Sequence, residues 1–453
     1  MRAPATDRGR LLVVVCAAVA VTVFTATVPL LRDWFDLRVY HGTVHTWIHD
    51  GGRIYDYRVP GTVYGFTYPP FAAVAMLPMA LVGMTAAVVM SLLLNLTALA
   101  VSLRVLTGRA WKRHGWYGCA LAACALALYE PLRDTFSFGQ VNVLLLALVL
   151  VDAWLLSTGR GRWAGIGIGL AAAIKLTPAL FIGLLLLAGR RRAAALATGV
   201  AAGATGLAAL IAPDASRFYW THAMWDTTRV GRLDYVSNQS LQGVLARLDV
   251  EGHAAWASVA LTVLLVWAWR ARRAVAAGDW YAAFALTGLT ACLVSPITWV
   301  HHLVWLLPSF VLLVRAGQPR VAAALYAVLC TSVVWLWFDD ASGVDGFLGA
   351  NTYAWITLGL LLWLPAGQTA ALSFRNRRTS TAAATAPRQA AAAIAAVATT
   401  GSSSGAAAAT AGTGSGGGSG PGRGALRRPS SEPTGSTNPV APKPQSSSDR
   451  ASS

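Results

Sequence analysis

The sequence predicts an all-α polytopic membrane protein with about twelve transmembrane helices. Three observations predict it. Apolar runs recur up to residue 372, each near the roughly 20 residues that cross a bilayer core. Charged residues make up only 12% of the chain against 55% apolar ones, which excludes a soluble domain of 453 residues. The arginines fall in short clusters between the apolar runs. Those runs are solidly apolar rather than alternating, so spanning sheets are excluded as well.

The formal charge of +17 raises the question of nucleic acid, but clustered arginines between spans are the signal that orients helices. No nucleic-acid partner is expected. Five cysteines, Cys16, Cys119, Cys124, Cys292 and Cys330, lie in or beside apolar segments without metal-type spacing. They read as small core residues, and neither zinc nor a disulfide is expected.

In chain order, Arg2, Arg8 and Arg10 precede the apolar run 11–31, which reads as an uncleaved first helix with a cytoplasmic N-terminus. Asp33 and Asp36 then lie on the outer face. Basic loops at Arg104–His114, Arg160–Arg162, Arg190–Arg192, Arg270–Arg273, Arg315–Arg320 and Arg375–Arg378 belong inside. Spans are expected at 115–130, 140–157, 193–212, 254–270, 280–295, 300–314, 321–338 and 352–372. Pro69, Pro70 and Pro78 predict a short surface or half-inserted helix before a span at 84–104. Residues 163–189 begin and end beside inside arginines. Lys175-Leu-Thr-Pro178 at their centre predicts two short helices that meet near the outer face. Residues 1–372 thus form the membrane-embedded domain. Residues 373–453, rich in alanine, glycine, serine and proline, form a disordered cytoplasmic tail that cannot bury enough surface to order itself.

Polar chemistry concentrates on the outer side of this map. The first loop, Asp33 to Tyr68, holds Asp36, Tyr40, His41, His45, His49 and Tyr68. A carboxylate such as Asp36 at a membrane surface can take a proton from a sugar hydroxyl, whereas the plainer reading is a helix cap or interface anchor. Lys175 lies within an apolar run, where an ammonium is costly unless it meets an anion such as a lipid phosphate or snorkels to the headgroups. His301 and His302 are adjacent, about 100° apart on a helix, so one of them faces a given site. They suit phosphate or sugar better than metal, and an interfacial histidine is the competing reading. Gln140, Asn142, Asn238, Gln239 and Ser240 suit sugar hydroxyls or phosphate. Gly165, Gly167 and Gly169 are close-packing positions between helices.

Asp36-Leu-Arg-Val-Tyr40, Tyr68-Pro-Pro70, Gly139-Gln-Val-Asn142, Lys175-Leu-Thr-Pro178, Ser237-Asn-Gln-Ser-Leu241 and Ser295-Pro-Ile-Thr-Trp-Val-His-His302 occur in that order. Together they make the chain, over residues 11–372, resemble the actinobacterial polyprenyl-phosphate-mannose-dependent α-1,2-mannosyltransferases. That group includes the mannosyltransferase of phosphatidylinositol mannoside synthesis. The resemblance implies a membrane fold of the C-type glycosyltransferase superfamily in the bacterial plasma membrane, with the active site facing the periplasm. It implies a β-linked polyprenyl-phospho-mannose donor and inverting transfer to a lipid-linked or glycan mannoside. Asp36 is then the general base. Lys175 and one of His301 and His302 steady the leaving phosphate. Gln140, Asn142 and Tyr68 are expected on the donor side, with Tyr40, Asn238, Gln239 and Ser240 on the acceptor or sugar side.

The donor brings its own phosphodiester leaving group, so neither a cofactor nor an obligatory metal is called for. The enzyme's task is alignment, proton removal and stabilisation of developing phosphate charge. A polyprenyl-phospho-arabinose-dependent arabinofuranosyltransferase is the nearest alternative. A lipid flippase or transporter is the alternative of a different class, and it predicts internal repeats with paired broken segments, which the sequence does not display.

Overall fold

A computed structural model of the chain describes residues 6–27, 33–108, 115–250 and 252–367. The tail expected at 373–453 lies outside the described residues, as do the ends of the first expected span and of the Arg104–His114 loop.

Among the described residues every regular element is helical, and one isolated bridge, between Arg58 and Gly65, closes the first loop. Helix α1 (Asp7–Thr27) is followed by α2 (Phe35–His49), α3 (Pro70–Ala75) and α4 (Met84–Thr107). Helices α5 (Gly115–Leu128), α6 (Glu130–Phe138), α7 (Asn142–Ser157), α8 (Ile166–Ile174), α9 (Leu180–Leu187) and α10 (Arg191–Ile211) come next. The remainder is α11 (Pro213–Phe218), α12 (Leu241–Arg247), α13 (His253–Ala276), α14 (Trp280–Val294), α15 (Leu307–Arg315), α16 (Pro319–Cys330), α17 (Gly343–Gly349) and α18 (Thr352–Trp363). Short 3₁₀ turns at Leu77–Leu81, Thr177–Ala179, Val300–Leu306 and Val333–Trp337 link several of them.

Among the described residues four helices, α1, α4, α10 and α13, are long and apolar enough to cross a membrane. The α6–α7 pair, bent by 117°, makes a fifth if it is one broken span. The other apolar segments are helices of 10–17 residues. The sequence itself cuts them short: Pro178 follows the break at Lys175, Pro308 opens α15 and Pro319 opens α16, each removing a backbone donor from a helical run. The chain is a polytopic, all-helical membrane protein built largely from interrupted helices.

Lipid offers no hydrophobic drive for helices to associate, so close backbone approach must hold the bundle together. Helices α8 and α10 show how. A Cβ on Gly165 would stand 2.3 Å from the Ala193 carbonyl oxygen, and one on Gly169 would stand 2.5 Å from that of Ala197. Gly167 meets α7 in the same way, 2.2 Å from the Leu148 carbonyl. The N-terminal end of α8 is further tied to α7 by Asp152, whose Oδ2 accepts the Ile168 N–H at 2.8 Å and so satisfies a donor that a helix start leaves open. Helix α14 is buried along almost its whole length, at the centre of the molecule. Helix α1 has no buried residue and packs on α5 at the periphery. The five cysteines are all free; only Cys292 is buried, and Cys16 faces outward on α1.

Candidate active site

The polar centre forms where four interruptions of the helical pattern meet. The first is the start of α2. Asp33 and Trp34 both adopt left-handed backbone, at φ 47° and 55°, and the Trp34 N–H donates to the Ser137 carbonyl at 2.9 Å. Two such non-glycine residues in a row are strained, and they turn the chain abruptly so that Asp36 falls in the first helical turn. The second is the α6–α7 break. Gly139, at φ 73°, closes α6 with hydrogen bonds from Gly139 N to Phe136 O and from Gln140 N to Thr135 O. Any side chain there would also strike Leu37 of α2, at 2.6 Å from its Cβ. Glycine therefore lets α6 and α2 touch and delivers Gln140 to Asp36.

Gln140 Nε2 donates to Asp36 Oδ2 at 2.7 Å. Its amide is oriented from the other side, because Oε1 accepts from the Tyr68 hydroxyl at 2.8 Å, which in turn accepts from Tyr40 at 3.0 Å. A chain of donors, Tyr40 to Tyr68 to Gln140, thus ends on the carboxylate. Burial holds both tyrosines well above the usual phenol range, so they remain donors. Burial also pushes Asp36 up to about 6, against the opposing pull of the Gln140 hydrogen bond and the Lys175 charge. Asp36 Oδ1 makes no hydrogen bond among the described residues.

The third interruption is the break between α8 and α9. Lys175 ends α8 in extended conformation, at φ −148° and ψ 133°, and turns into the same region. Its Nζ lies 2.7 Å from His302 Nε2, 3.2 Å from Asn142 Oδ1 and 3.5 Å from the Tyr68 hydroxyl, over whose ring it also sits. The fourth is the turn before Val300–Leu306. There the Trp299 N–H donates to His302 Nδ1 at 3.1 Å. That bond leaves the proton of a neutral imidazole on Nε2, facing the lysine.

These groups line a cavity of about 570 Å³, within the usual range for a small-molecule site. Asp36, Tyr40, Tyr68, Gln140, Lys175, His301 and His302 all face it. The two histidines do different things. His302 contacts Lys175, whereas His301 packs edge-on against Phe138 at 5.1 Å and uses its backbone carbonyl to accept from Thr135 and Asn142. Asn142 supports Lys175 from behind without lining the main cavity.

Asn238, Gln239 and Ser240 are fully buried, and their polar atoms serve the protein's own backbone. Asn238 Nδ2 donates to the carbonyls of Leu233 and Pro296, and its Oδ1 accepts from Thr298 N. Gln239 Nε2 donates to Val236 and Ala350, and Ser240 Oγ to Pro296. They brace the turn that carries the histidines; Ser237, next to them, is the member that reaches the cavity. Arg229, Arg232, Tyr219 and Trp335 also line it. The sequence held a signal for the two arginines, since they lie in a loop placed outside, where arginine has no orienting role.

The sequence profile of glycosyltransferase family 87 matches residues 66–296. The chain belongs to glycosyltransferase family 87. Among the curated members of that family's chemistry it is 36% identical, over 319 residues, to the polyprenol-phosphate-mannose-dependent alpha-(1-2)-phosphatidylinositol mannoside mannosyltransferase of Mycobacterium tuberculosis. That match covers 66% of this chain and 74% of the relative. The corresponding pentamannoside mannosyltransferase of the same species is 34% identical over 73% of this chain and 79% of its own. A phosphatidylinositol mannoside mannosyltransferase of Mycolicibacterium smegmatis is 35% identical over 61% and 68%. No solved structure is a significant match. The family 87 match takes in Tyr68, Gln140, Asn142 and Lys175, and its limits leave Asp36 before it and His302 after it. In this family 87 chain the fold nonetheless gathers Asp36, Gln140, Lys175 and His302 around one cavity.

Proposed function

We propose that this family 87 glycosyltransferase is an inverting mannosyltransferase that moves mannose from polyprenyl-phospho-mannose to a mannosylated phosphatidylinositol-type lipid. One observation carries the reading: a carboxylate with one unengaged oxygen shares a cavity with a lysine–imidazole pair. The relatives' names, which specify polyprenol-phosphate-mannose as donor and phosphatidylinositol mannosides as acceptors, support the substrates.

In this mechanism the acceptor hydroxyl donates to Asp36 Oδ1 and gives up its proton there as its oxygen bonds to the anomeric carbon. The bond from that carbon to the phosphate oxygen breaks, and the electron pair leaves with the polyprenyl phosphate. Attack opposite a β-linked leaving group produces an α-linkage, here assigned as α-1,2. Lys175 and His302 are poised for the leaving group. Their contacting nitrogens are both donors, so the pair lacks an acceptor that a phosphate oxygen supplies. Asp36, with a pKa near 6, is ionised at neutral pH yet basic enough to take a proton in flight.

The arrangement of about twelve crossings in the C-type glycosyltransferase fold, with the cavity on the periplasmic side and both termini inside, belongs to the same proposal. It is supported by the basic clusters at Arg160–Arg162, Arg190–Arg192 and Arg270–Arg273, all away from the cavity lining. The test is to supply purified protein in lipid nanodiscs with radiolabelled polyprenyl-phospho-mannose, or the arabinose analogue, and phosphatidylinositol mannosides. Labelled mannolipid whose terminal linkage is α-1,2 is the expected product. Transfer of arabinose, or donor hydrolysis without any mannolipid, would refute the proposal.

A further inference from the structure

A second, larger recess adjoins the cavity. It is a groove of about 1200 Å³ between α4, α5 and α6, walled almost wholly by apolar side chains. On α4 its wall runs from Leu96 to Val105, about 14 Å of helical rise, close to half of a bilayer core of roughly 30 Å. Two cations lie in its wall: Arg104 on α4, whose Nη1 donates to the Gly108 carbonyl at 3.0 Å, and Arg133 on α6. Arg133 Nη2 donates to Ser332 Oγ at 2.8 Å, but Nε and Nη1 are buried with no hydrogen-bond partner. Glu130, one turn away, is hydrogen-bonded by Trp335 Nε1 at 2.6 Å and the Tyr353 hydroxyl at 2.5 Å, and it attracts Arg133 through space without accepting from its Nε or Nη1. Asp33, at the same rim, is matched by Arg38 at 2.5 Å. Two guanidinium donors without an acceptor are costly in an apolar wall, and a phosphate oxygen is the acceptor that a charged guanidinium takes best.

We infer that this groove holds the acyl chains of the acceptor lipid, with its phosphodiester on Arg133. The inference rests on the proposed function and adds the acceptor's anchoring site to it. The donor's only phosphate is the leaving group, so it must sit against the reacting carbon in the Asp36 cavity, which Arg133 does not line. An anion at Arg133 is therefore a second, non-reacting phosphate, and the acceptor class named for the relatives carries one. The two recesses share a wall. Trp34 and Ser137 face the groove, whereas Asp36 and Phe138 face the cavity. Arg133 precedes Phe138 by five residues, about 7.5 Å along the helix, a distance an inositol-mannoside headgroup spans on its way to Asp36.

The test uses the full chain in nanodiscs and reads quenching of Trp34 by bromine-labelled acyl chains, taken as the difference between wild type and Trp34→Phe. Dibrominated phosphatidylinositol should quench strongly and dibrominated phosphatidylcholine weakly. Arg133→Gln should erase that preference and raise the acceptor KM about tenfold, the loss of one charged hydrogen-bonding group, with kcat little changed. Arg133→Lys, which keeps the charge, should retain most of the preference. Ala123→Trp, which fills the groove, should abolish quenching by either lipid while Arg133 stays in place. Equal quenching by both lipids, insensitive to Arg133→Gln, would overturn the inference. So would displacement of dibrominated phosphatidylinositol by polyprenyl phosphate, which would make the groove the donor's. Phosphatidylinositol-specific quenching in a protein that transfers no mannose would instead refute the proposed function and leave an anionic-lipid site without an acceptor role.

Discussion

Replacing Gln140 with methionine isolates the contribution of one hydrogen bond to the proposed base, Asp36. The side chain keeps its length but loses the amide that donates to Asp36 Oδ2 at 2.7 Å. A hydrogen bond to a charged group contributes about 1.5–3 kcal/mol, and 1.36 kcal/mol corresponds to one pKa unit. The Asp36 pKa, about 6 in the intact site, should therefore rise by one to two units, to roughly 7–8. The direction follows from the chemistry: the lost donor stabilised only the ionised form, so its removal favours the proton. Only ionised Asp36 can accept a proton, so the acidic limb of the pH profile of kcat/KM should move upward by the same amount. At pH 7 the rate should fall roughly two- to tenfold, and raising the pH to 9 should restore most of it. Recovery at high pH separates a shifted base from a damaged fold, which does not recover. Measured as initial rates of mannolipid formation across pH 5–9 in nanodiscs, an acidic limb that stays near 6 would refute the role given to both residues.

Further outcomes are expected from the same geometry. Asp36→Asn should abolish transfer yet leave donor binding intact. Because the folded-state pKa is raised, the stability this carboxyl contributes is present below its unfolded value near 3.8 and lost as pH passes about 6. The variant should therefore melt no lower than wild type at pH 7, as read by thermal unfolding of the purified protein. Lys175→Met should cost on the order of 10²–10³ in kcat, the usual loss for one preorganised donor to developing negative charge. Adding His302→Phe to it should cost much less than the product of the two single effects, because the side chains touch, and rapid-quench assays on the three variants would show this. Asn238→Ala should lower the melting temperature while leaving the KM for donor and acceptor close to wild type, since its amide braces Leu233, Pro296 and Thr298. A large rise in either KM in a stably folded Asn238→Ala protein would restore it to the binding site.

The residues of the polar cavity were legible because polar residues stand out in so apolar a chain. Lys175 within an alanine–leucine run, the carboxylate after the first helix and the paired histidines are each costly in an apolar setting, and the fold brings them to one cavity. Local composition could not distinguish a polar side chain facing a cavity from one facing backbone. Asn238, Gln239 and Ser240 have the residue types of a sugar site, but a turn without regular hydrogen bonds needed them more. Arg229 and Arg232 were hidden for the opposite reason, because arginine in a membrane protein is first read as an orienting charge. Spans were legible as apolar runs, but their helical lengths were not. Prolines and the Lys175 break divide continuous hydropathy into pieces too short to cross alone.

Gly165, Gly167 and Gly169 bring the α8 backbone against α7 and α10, and Lys175 is the residue at which α8 ends. The ammonium proposed to meet the phosphate is consequently positioned by hydrogen atoms, about two turns away, where other residues would carry a methyl. One alanine at any of the three would act as a spacer, tilting a short rod and sweeping its charged tip off His302. Rate loss from such a mutation would come with every polar group of the centre still present.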